Sequence, residues 1–446
     1  MVTRRQFIEF GTKSVAAYAL ADFFTDCEVF AQLPVVPKNT AKSCIFIQMV
    51  GGPTHLETWD VKEGSWSPRD LDIRSFSGGV TMSNRLFPML TRNANDLVLI
   101  RSMEAWEAAH DRAQYYVQTA YAKNPAFSRE RPNIGAVVAY EAEATKKPSE
   151  VLPSFIGINA TPIGPGFLPG EFAPLNVQSG GGGISTLVHP QGRDRFLRRV
   201  SLLKDLDQGL RAAPYDKEME DLGAFNDSAR ALMYNDVVDA MFRFTTAEGA
   251  RYGNSGFGNA CIVARNIVKA DLGGRFLTIQ HGGWDQHQSL FDTNNGGNIY
   301  NLGRQFDTGL GTLIEDLKSS PAPAGRGGTL FDNTLIVAMG DFGRTPGPLN
   351  ARGGRDHYRN VQAALMTGGG VRGPKAIGKT DPNGANIIEY GWSDGRSIRM
   401  EDITATIYSA LGINWTKTVG NTPSGRQYEY VQYASRGLYL PVNEVF

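Results

Sequence analysis

Two stretches of this chain are apolar at almost every position and then stop on glycine. Cys44 to Val50 (CIFIQMV) breaks its apolar run only at Gln48 and ends at Gly51-Gly52-Pro53, and Thr334 to Met339 (TLIVAM) ends at Gly340. A strand with one wet face alternates apolar and polar residues. A run without alternation belongs to a strand covered on both faces, as in a parallel sheet between two helical layers. Arg275 to Gln280 and Gln362 to Thr367 read as further strands, the second ended by Gly368-Gly369-Gly370. Leu97 to Ile100 and Phe155 to Ile158 are shorter candidates.

Helical periodicity fills the intervals. Ile299, Leu302, Phe306, Leu310, Leu313, Ile314 and Leu317 recur at helical spacing, which predicts a helix over 299–318 packed on the sheet. Glu104 to Tyr121 reads as helical, as does Pro132 to Ala144, where proline at the start costs no hydrogen bond. Gly258 to Leu272 is an amphipathic helix with Gly273 as its stop, and Asp402 to Leu411 is closed by Gly412. Residues 191–272 are charged and helical in pattern and read as a helical insertion. Residues 159–185 are mostly Gly, Pro and Ser and read as a long loop. Strands alternating with helices predict an α/β fold with a mostly parallel central sheet flanked by helices. One domain over 44–446 follows a leader at 32–43.

The chain has 45 basic and 45 acidic residues. A net charge of zero argues against a nucleic-acid binder driven by bulk charge. Its three cysteines form no CxxC pair, so no thiolate zinc site is expected. Cys44 and Cys261 fall in apolar segments and read as buried thiols. Thr3-Arg4-Arg5-Gln6-Phe7-Ile8 is a twin-arginine pattern, followed by a mildly apolar stretch from Val15 to Phe24 and a small residue, Ala31, for cleavage. Residues 1–31 are thus read as a signal peptide for the twin-arginine export machinery, with a periplasmic or extracellular product. The apolar stretch is too short and too polar to span a bilayer, and no other stretch approaches that length, so no transmembrane segment is expected after signal removal.

The chemistry gathers in loops at strand ends, where open α/β sheets bind ligands. His281-Gly282-Gly283-Trp284-Asp285-Gln286-His287 follows one strand. Asp285 and His287, two apart, point to one side of an extended chain and reach one metal together. His281 is either a further ligand or packs against Trp284. Asp341 leaves the 334–339 strand as a carboxylate ligand, and Arg344 is placed to clamp an oxyanion. Asp356 and His357 adjoin and diverge, so they serve two metals, or one metal and an outer contact. The loop after the first strand offers His55, Glu57 and Asp60 as ligands and Thr54 as nucleophile or substrate contact. His110, after the strand at 97–100, is placed to face the same edge. Imidazole with carboxylate suits a divalent metal, zinc first, with manganese, iron or calcium as alternatives.

The twin-arginine leader, GGPTHLETWD, HGGWDQH, DFGRTP and GRDHY followed by GGGVRGPKAIGKTDPNG resemble, in this order, the bacterial DUF1501 family, from about Ile45 to Leu411. That family resembles the alkaline phosphatase and sulfatase superfamily. The resemblance implies an alkaline phosphatase-like α/β fold with one or two metal ions at strand ends. Asp285 and His287 would serve one metal, Asp341, Asp356 and His357 would complete the pair, and His55 to Asp60 would stand at the N-terminal ligand position. It implies a hydrolase of phosphate or sulfate esters, acting on a small anionic ester or polysaccharide. The nucleophile would be water activated by the metal, or Thr54 or Ser102. Superfamily hydrolases place a Ser, Thr or modified Cys at a helix start after an early strand. Here that region is Ser102 to His110, with Ser102 its only hydroxyl, and no Cys-x-Pro-x-Arg motif occurs. The alternative is a catalytically degenerate relative that binds an anionic ligand or polysaccharide.

Overall fold

The computed structural model describes residues 35–184, 187–213, 217–420 and 422–446. The expected signal peptide, residues 1–31 with Cys27, lies outside the described residues. The apolar runs become the central strands of an eight-stranded sheet. Its strands are β1 (Ser43–Met49), β2 (Leu97–Met103), β3 (Phe155–Ile158), β4 (Leu175–Val177), β5 (Phe276–His281), β6 (Thr334–Gly340), β7 (Gln362–Thr367) and β8 (Lys375–Ile377), in the order β8-β2-β7-β6-β1-β5-β3-β4. Strand β1 lies between β5 and β6, parallel to both, with Ile47 opposite Ile279 and Ala338. Every residue of β1 and of β6 is buried, as unbroken apolar runs require. Strand β7 runs antiparallel to both of its neighbours, β2 and β6, and the remaining pairings are parallel.

Ten helices surround the sheet among the described residues, namely α1 (Pro88–Arg92), α2 (His110–Thr119), α3 (Ile134–Glu143), α4 (Arg193–Ala212), α5 (Lys217–Leu232), α6 (Asp236–Met241), α7 (Thr246–Arg251), α8 (Gly256–Ala270), α9 (Ile299–Lys318) and α10 (Met400–Ala410). The apolar faces of α8 and α9 join Ile45, Ile47, Met49 and Ile279 in one core cluster. On the other face Phe276 packs against Phe46 and Phe155, with ring centroids 6.1 and 5.8 Å apart. Helix α3 sits close on these rings, because a side chain at Gly135 would strike Phe155 and Phe276. The alternation of β1 side chains thus feeds two helical layers. Cys44 and Cys261 are free and buried. No described helix is long and apolar enough to cross a membrane.

Several elements differ from the periodicity. Helix α2 begins at His110 instead of Glu104. The intervening backbone bonds elsewhere, with Glu104 N–H donating to Ile398 O at 3.0 Å and Ala105 N–H to Arg359 O at 2.9 Å. Helix α8 ends on Asp271, which takes the left-handed conformation (φ 53°) two residues before the expected glycine. The long loop at 159–185 contains the edge strand β4, which its Gly, Pro and Ser content concealed.

Candidate metal centre

The loops after β1, β2, β5 and β6 meet over the C-terminal ends of the central strands. Close backbone approach makes this possible. Gly51 adopts φ +109°, and a β-carbon there would collide with the backbone of Trp284 and Asp285. A β-carbon at Gly354 would strike the His287 backbone in the same way. Gly343–Arg344 and His357–Tyr358 pair as a short antiparallel ribbon that holds the excursion after β6 over the site.

Three imidazoles converge on one carboxylate oxygen. Nε2 of His110, His287 and His357 lie 3.3, 3.0 and 3.3 Å from Asp285 Oδ1. Nε2 of His287 and of His357 are 3.0 Å apart. Each opposite ring nitrogen has an acceptor. His110 Nδ1 is 2.9 Å from Asp341 Oδ2, His287 Nδ1 is 2.6 Å from Asp356 Oδ1, and His357 Nδ1 is 2.7 Å from Ala108 O. These acceptors assign the proton of each neutral ring to Nδ1. Three Nε2 lone pairs then face an anionic oxygen and one another. Without a cation at least one ring must take a proton; with one, none needs to. His110 Nε2 and Asp341 Oδ1 are buried and have no hydrogen-bond partner. The donor set therefore fits a divalent ion, and His110, Asp285 and His357 form a group that could hold one.

The surroundings tune these groups. Burial pushes the Asp285 carboxyl up, but the Arg344 guanidinium and the neighbouring His110 and His287 outweigh it and bring it down to about 2. The hydrogen bond to Asp341 raises His110 above the ordinary imidazole value, against burial. Burial lowers His357. The side chains remain reachable, with Asp285 46% and His287 29% exposed.

Arg344 holds the cluster from below. It is 1% exposed. Its guanidinium donates to Gly52 O at 2.8 Å, Arg355 O at 3.0 Å, Trp284 O at 3.4 Å, Gly51 O, and Asp285 Oδ1 at 2.5 Å. One side chain thus ties three loops together and orients Asp285, whereas the sequence suggested a clamp for a substrate oxyanion. Asp341 accepts from His110, from Gln114 Nε2 at 3.1 Å and from Gly51 N–H at 3.3 Å. Asp356 orients His287 and accepts from Asn350 Nδ2 at 3.2 Å. Both carboxylates sit behind an imidazole instead of pointing with Asp285. Gln114 and Asn350 escaped the sequence reading. Gln114 lies one helical turn after His110, a spacing that places both on one face.

The loop after β1 is built differently. Thr54 donates its hydroxyl to Glu57, which Arg355 grips at 2.8 and 3.2 Å. Glu57 and Arg355 are each 1% exposed. His55 Nε2 is 2.8 Å from Gly384 O, and Arg344 N–H reaches His55 Nδ1 at 3.5 Å, so both ring nitrogens have partners. Burial holds His55 below the ordinary imidazole value, against the pull of Asp60. Asp60 accepts from Thr380 and pairs with Lys62 at 3.1 Å. Ser102 is buried within β2, and its hydroxyl donates to Tyr390 O at 2.6 Å. His281 packs edge-on against Trp284, whose indole N–H donates to His281 Nδ1 at 3.1 Å; burial lowers this imidazole to about 4.

Solved structures similar to this one include a protein in the alkaline phosphatase superfamily from Vibrio parahaemolyticus, at TM-score 0.39 and 12% identity, covering 85% of this chain and 69% of that one. The lipoteichoic acid synthase LtaP from Listeria monocytogenes matches at TM-score 0.36 and 12% identity, covering 86% and 75%. The PsFucS1 sulfatase from Pseudoalteromonas sp. matches at TM-score 0.34 and 11% identity, covering 86% and 70%. A search of curated proteins finds no significant match. The model of the family described as "Protein of unknown function (DUF1501)" matches residues 41–438, nearly the whole described fold, and the chain belongs to that family.

Proposed function

We propose that this protein is an exported, metal-dependent hydrolase of phosphate or sulfate esters. The observation that carries the reading is the convergence of His110, His287 and His357 Nε2 on Asp285 Oδ1, each ring with its other nitrogen on an acceptor. The resemblance of the ordered motifs to the alkaline phosphatase and sulfatase superfamily supports the substrate class. In this reading the three imidazoles and Asp285 hold the ion, zinc before manganese, iron or calcium. Asp341, Asp356 and the Ala108 carbonyl fix the ring tautomers, and Arg344 fixes Asp285. A divalent ion bound there supplies a Lewis acid for an ester oxygen and makes water a stronger acid. The hydroxyls of Thr54 and Ser102 are buried and already donate to acceptors, so water is the nucleophile the reading favours. Arg352, 60% exposed and 3.4 Å from Asp356, is the cation at the rim for an anionic ester.

Elemental analysis of the signal-cleaved protein, beside an Asp285→Ala/His287→Ala variant, tests the centre. Roughly one to two equivalents of metal, lost in the variant, are expected. Metal in neither sample, even after reconstitution, would sink the reading. A panel of phosphate and sulfate esters then tests turnover. The engaged hydroxyls favour one second reading, a metal-holding scaffold that binds an anionic ligand or polysaccharide without cleaving it. Metal binding with no turnover across the panel selects it. Export rests on Arg4 and Arg5, and Arg4→Lys/Arg5→Lys is expected to retain the precursor in the cytoplasm.

A further inference from the structure

The sheet has a second charged end. Lys42 and Arg275 stand one residue before β1 and β5, and Arg326 lies in the connection that leads to β6. Three cations therefore gather at the N-terminal ends of three adjacent strands, the edge opposite the imidazole cluster. At the rise of an extended chain, strands of this length separate the two edges by roughly 20 Å. Lys42, Arg275 and Arg326 line one cavity of about 480 Å³ with Asn39, and Val138 and Ile413 give it an apolar flank.

The charges in this cavity do not balance. Arg275 Nη2 pairs with Glu150 at 2.5 Å, but its Nη1 is buried without a hydrogen-bond partner, and Asp271 Oδ1 lies 3.8 Å away. Lys42 pairs with that same Asp271. Arg326 donates to Asn39 Oδ1 at 3.1 Å and Asn39 O at 3.5 Å, both uncharged acceptors. Burial, and repulsion from Arg275, hold the Arg326 guanidinium below its usual value. Glu141 on the wall is bound by Lys417 at 2.7 Å and by the Tyr430 hydroxyl at 2.6 Å. Three cations thus share Asp271 and Glu150. A buried guanidinium N–H without an acceptor costs free energy until one arrives, and guanidinium matches the oxygens of phosphate in geometry and charge.

We propose that this cavity binds a tetrahedral oxyanion, a phosphate group, between Arg275 and Arg326, with the apolar flank facing the body of the molecule that carries it. The site is independent of the imidazole cluster. The test is calorimetric titration of inorganic phosphate into a His110→Ala/His357→Ala protein, which removes two imidazoles from the other edge. Saturable binding is expected, weakened about tenfold or more by Arg326→Gln and by Ala144→Glu, which places a carboxylate at the exposed rim. The same titration of the unmutated chain in a chelator guards against a folding defect in the double variant. No saturable binding at millimolar phosphate overturns the proposal. So does binding that neither Arg326→Gln nor Ala144→Glu changes, or binding that the loss of the two imidazoles abolishes. A cluster that held no metal would leave these outcomes unaltered.

Discussion

The loops after β1 and β5 leave adjacent parallel strands at the same edge and carry nearly the same chemistry. Residues 51–60 hold a histidine, a glutamate and an aspartate, and residues 281–287 hold two histidines and an aspartate. The first loop is buried throughout, and its titratable side chains are held by residues around it. His55 has a partner on each ring nitrogen, and Glu57 and Asp60 have cations. The second leaves Asp285 and His287 half open, with an imidazole nitrogen turned toward a carboxylate oxygen. Residue type alone does not distinguish a brace from a ligand. What distinguishes them is whether the second nitrogen, or the remaining oxygen, already has a partner.

The largest effect should come from the brace. Arg355→Ala leaves Glu57 buried and unpaired, which is expected to cost about 3–5 kcal/mol in urea denaturation. A loss below about 1 kcal/mol, the range of a surface pair, would mean that this loop is not the support described here. Next comes a residue behind the proposed ligands. Asp356→Ala frees the His287 ring and is expected to weaken metal binding roughly 10- to 100-fold by competition with a chelating dye. Unchanged affinity would remove Asp356 from any orienting role.

The third effect is a pH dependence that belongs to the brace. The fold keeps His55 neutral, so its contribution is full above the ordinary imidazole value of 6.5 and is lost as pH falls below it. His55→Gln should flatten the acid side of the stability profile by up to about 1.4 kcal/mol per pH unit, seen as a smaller shift in melting temperature between neutral and mildly acidic buffers. An identical profile in the variant would contradict a neutral, doubly bonded ring. The smallest effect is that of Arg352→Ala. This side chain is 60% exposed beside Asp356, and its loss should leave stability and metal affinity within about 0.5 kcal/mol of the parent. Its effect should appear instead in the KM for an anionic ester.

The sheet was largely legible because its centre is written in unbroken apolar runs. Strands β1, β6 and β7 and helix α9 follow those runs and that periodicity closely. Direction was not legible. Nothing in Gln362 to Thr367 says that this strand runs against its neighbours, since both faces are buried in either sense. The short edge strands β4 and β8 carry too few apolar residues to stand out. In the site, the loops were visible as glycine-rich strand exits, but the division of labour within them was not. His110 reaches the cluster from the first turn of a helix, more than a hundred and seventy positions before Asp285, and only the sheet order brings them together. Sequence position does not reveal that Asp341 and Asp356 stand behind His110 and His287, because a carboxylate that holds an imidazole and one that faces the centre of the cluster are the same residue type at the same sort of place.

The reversed strand carries one more consequence. A parallel partner for β6 would oblige the chain to cross to the far edge through a long connection before returning. Because β7 runs backwards, the chain leaves β6 and re-enters the sheet at the same edge. Residues 341–361 therefore form one excursion with both ends anchored in the middle of the sheet, and it carries Asp341, Arg344, Asp356 and His357. Such a segment is a natural cassette. Relatives could lengthen, shorten or exchange its outer part and so reshape what reaches the cluster, without a single change of strand pairing beneath it.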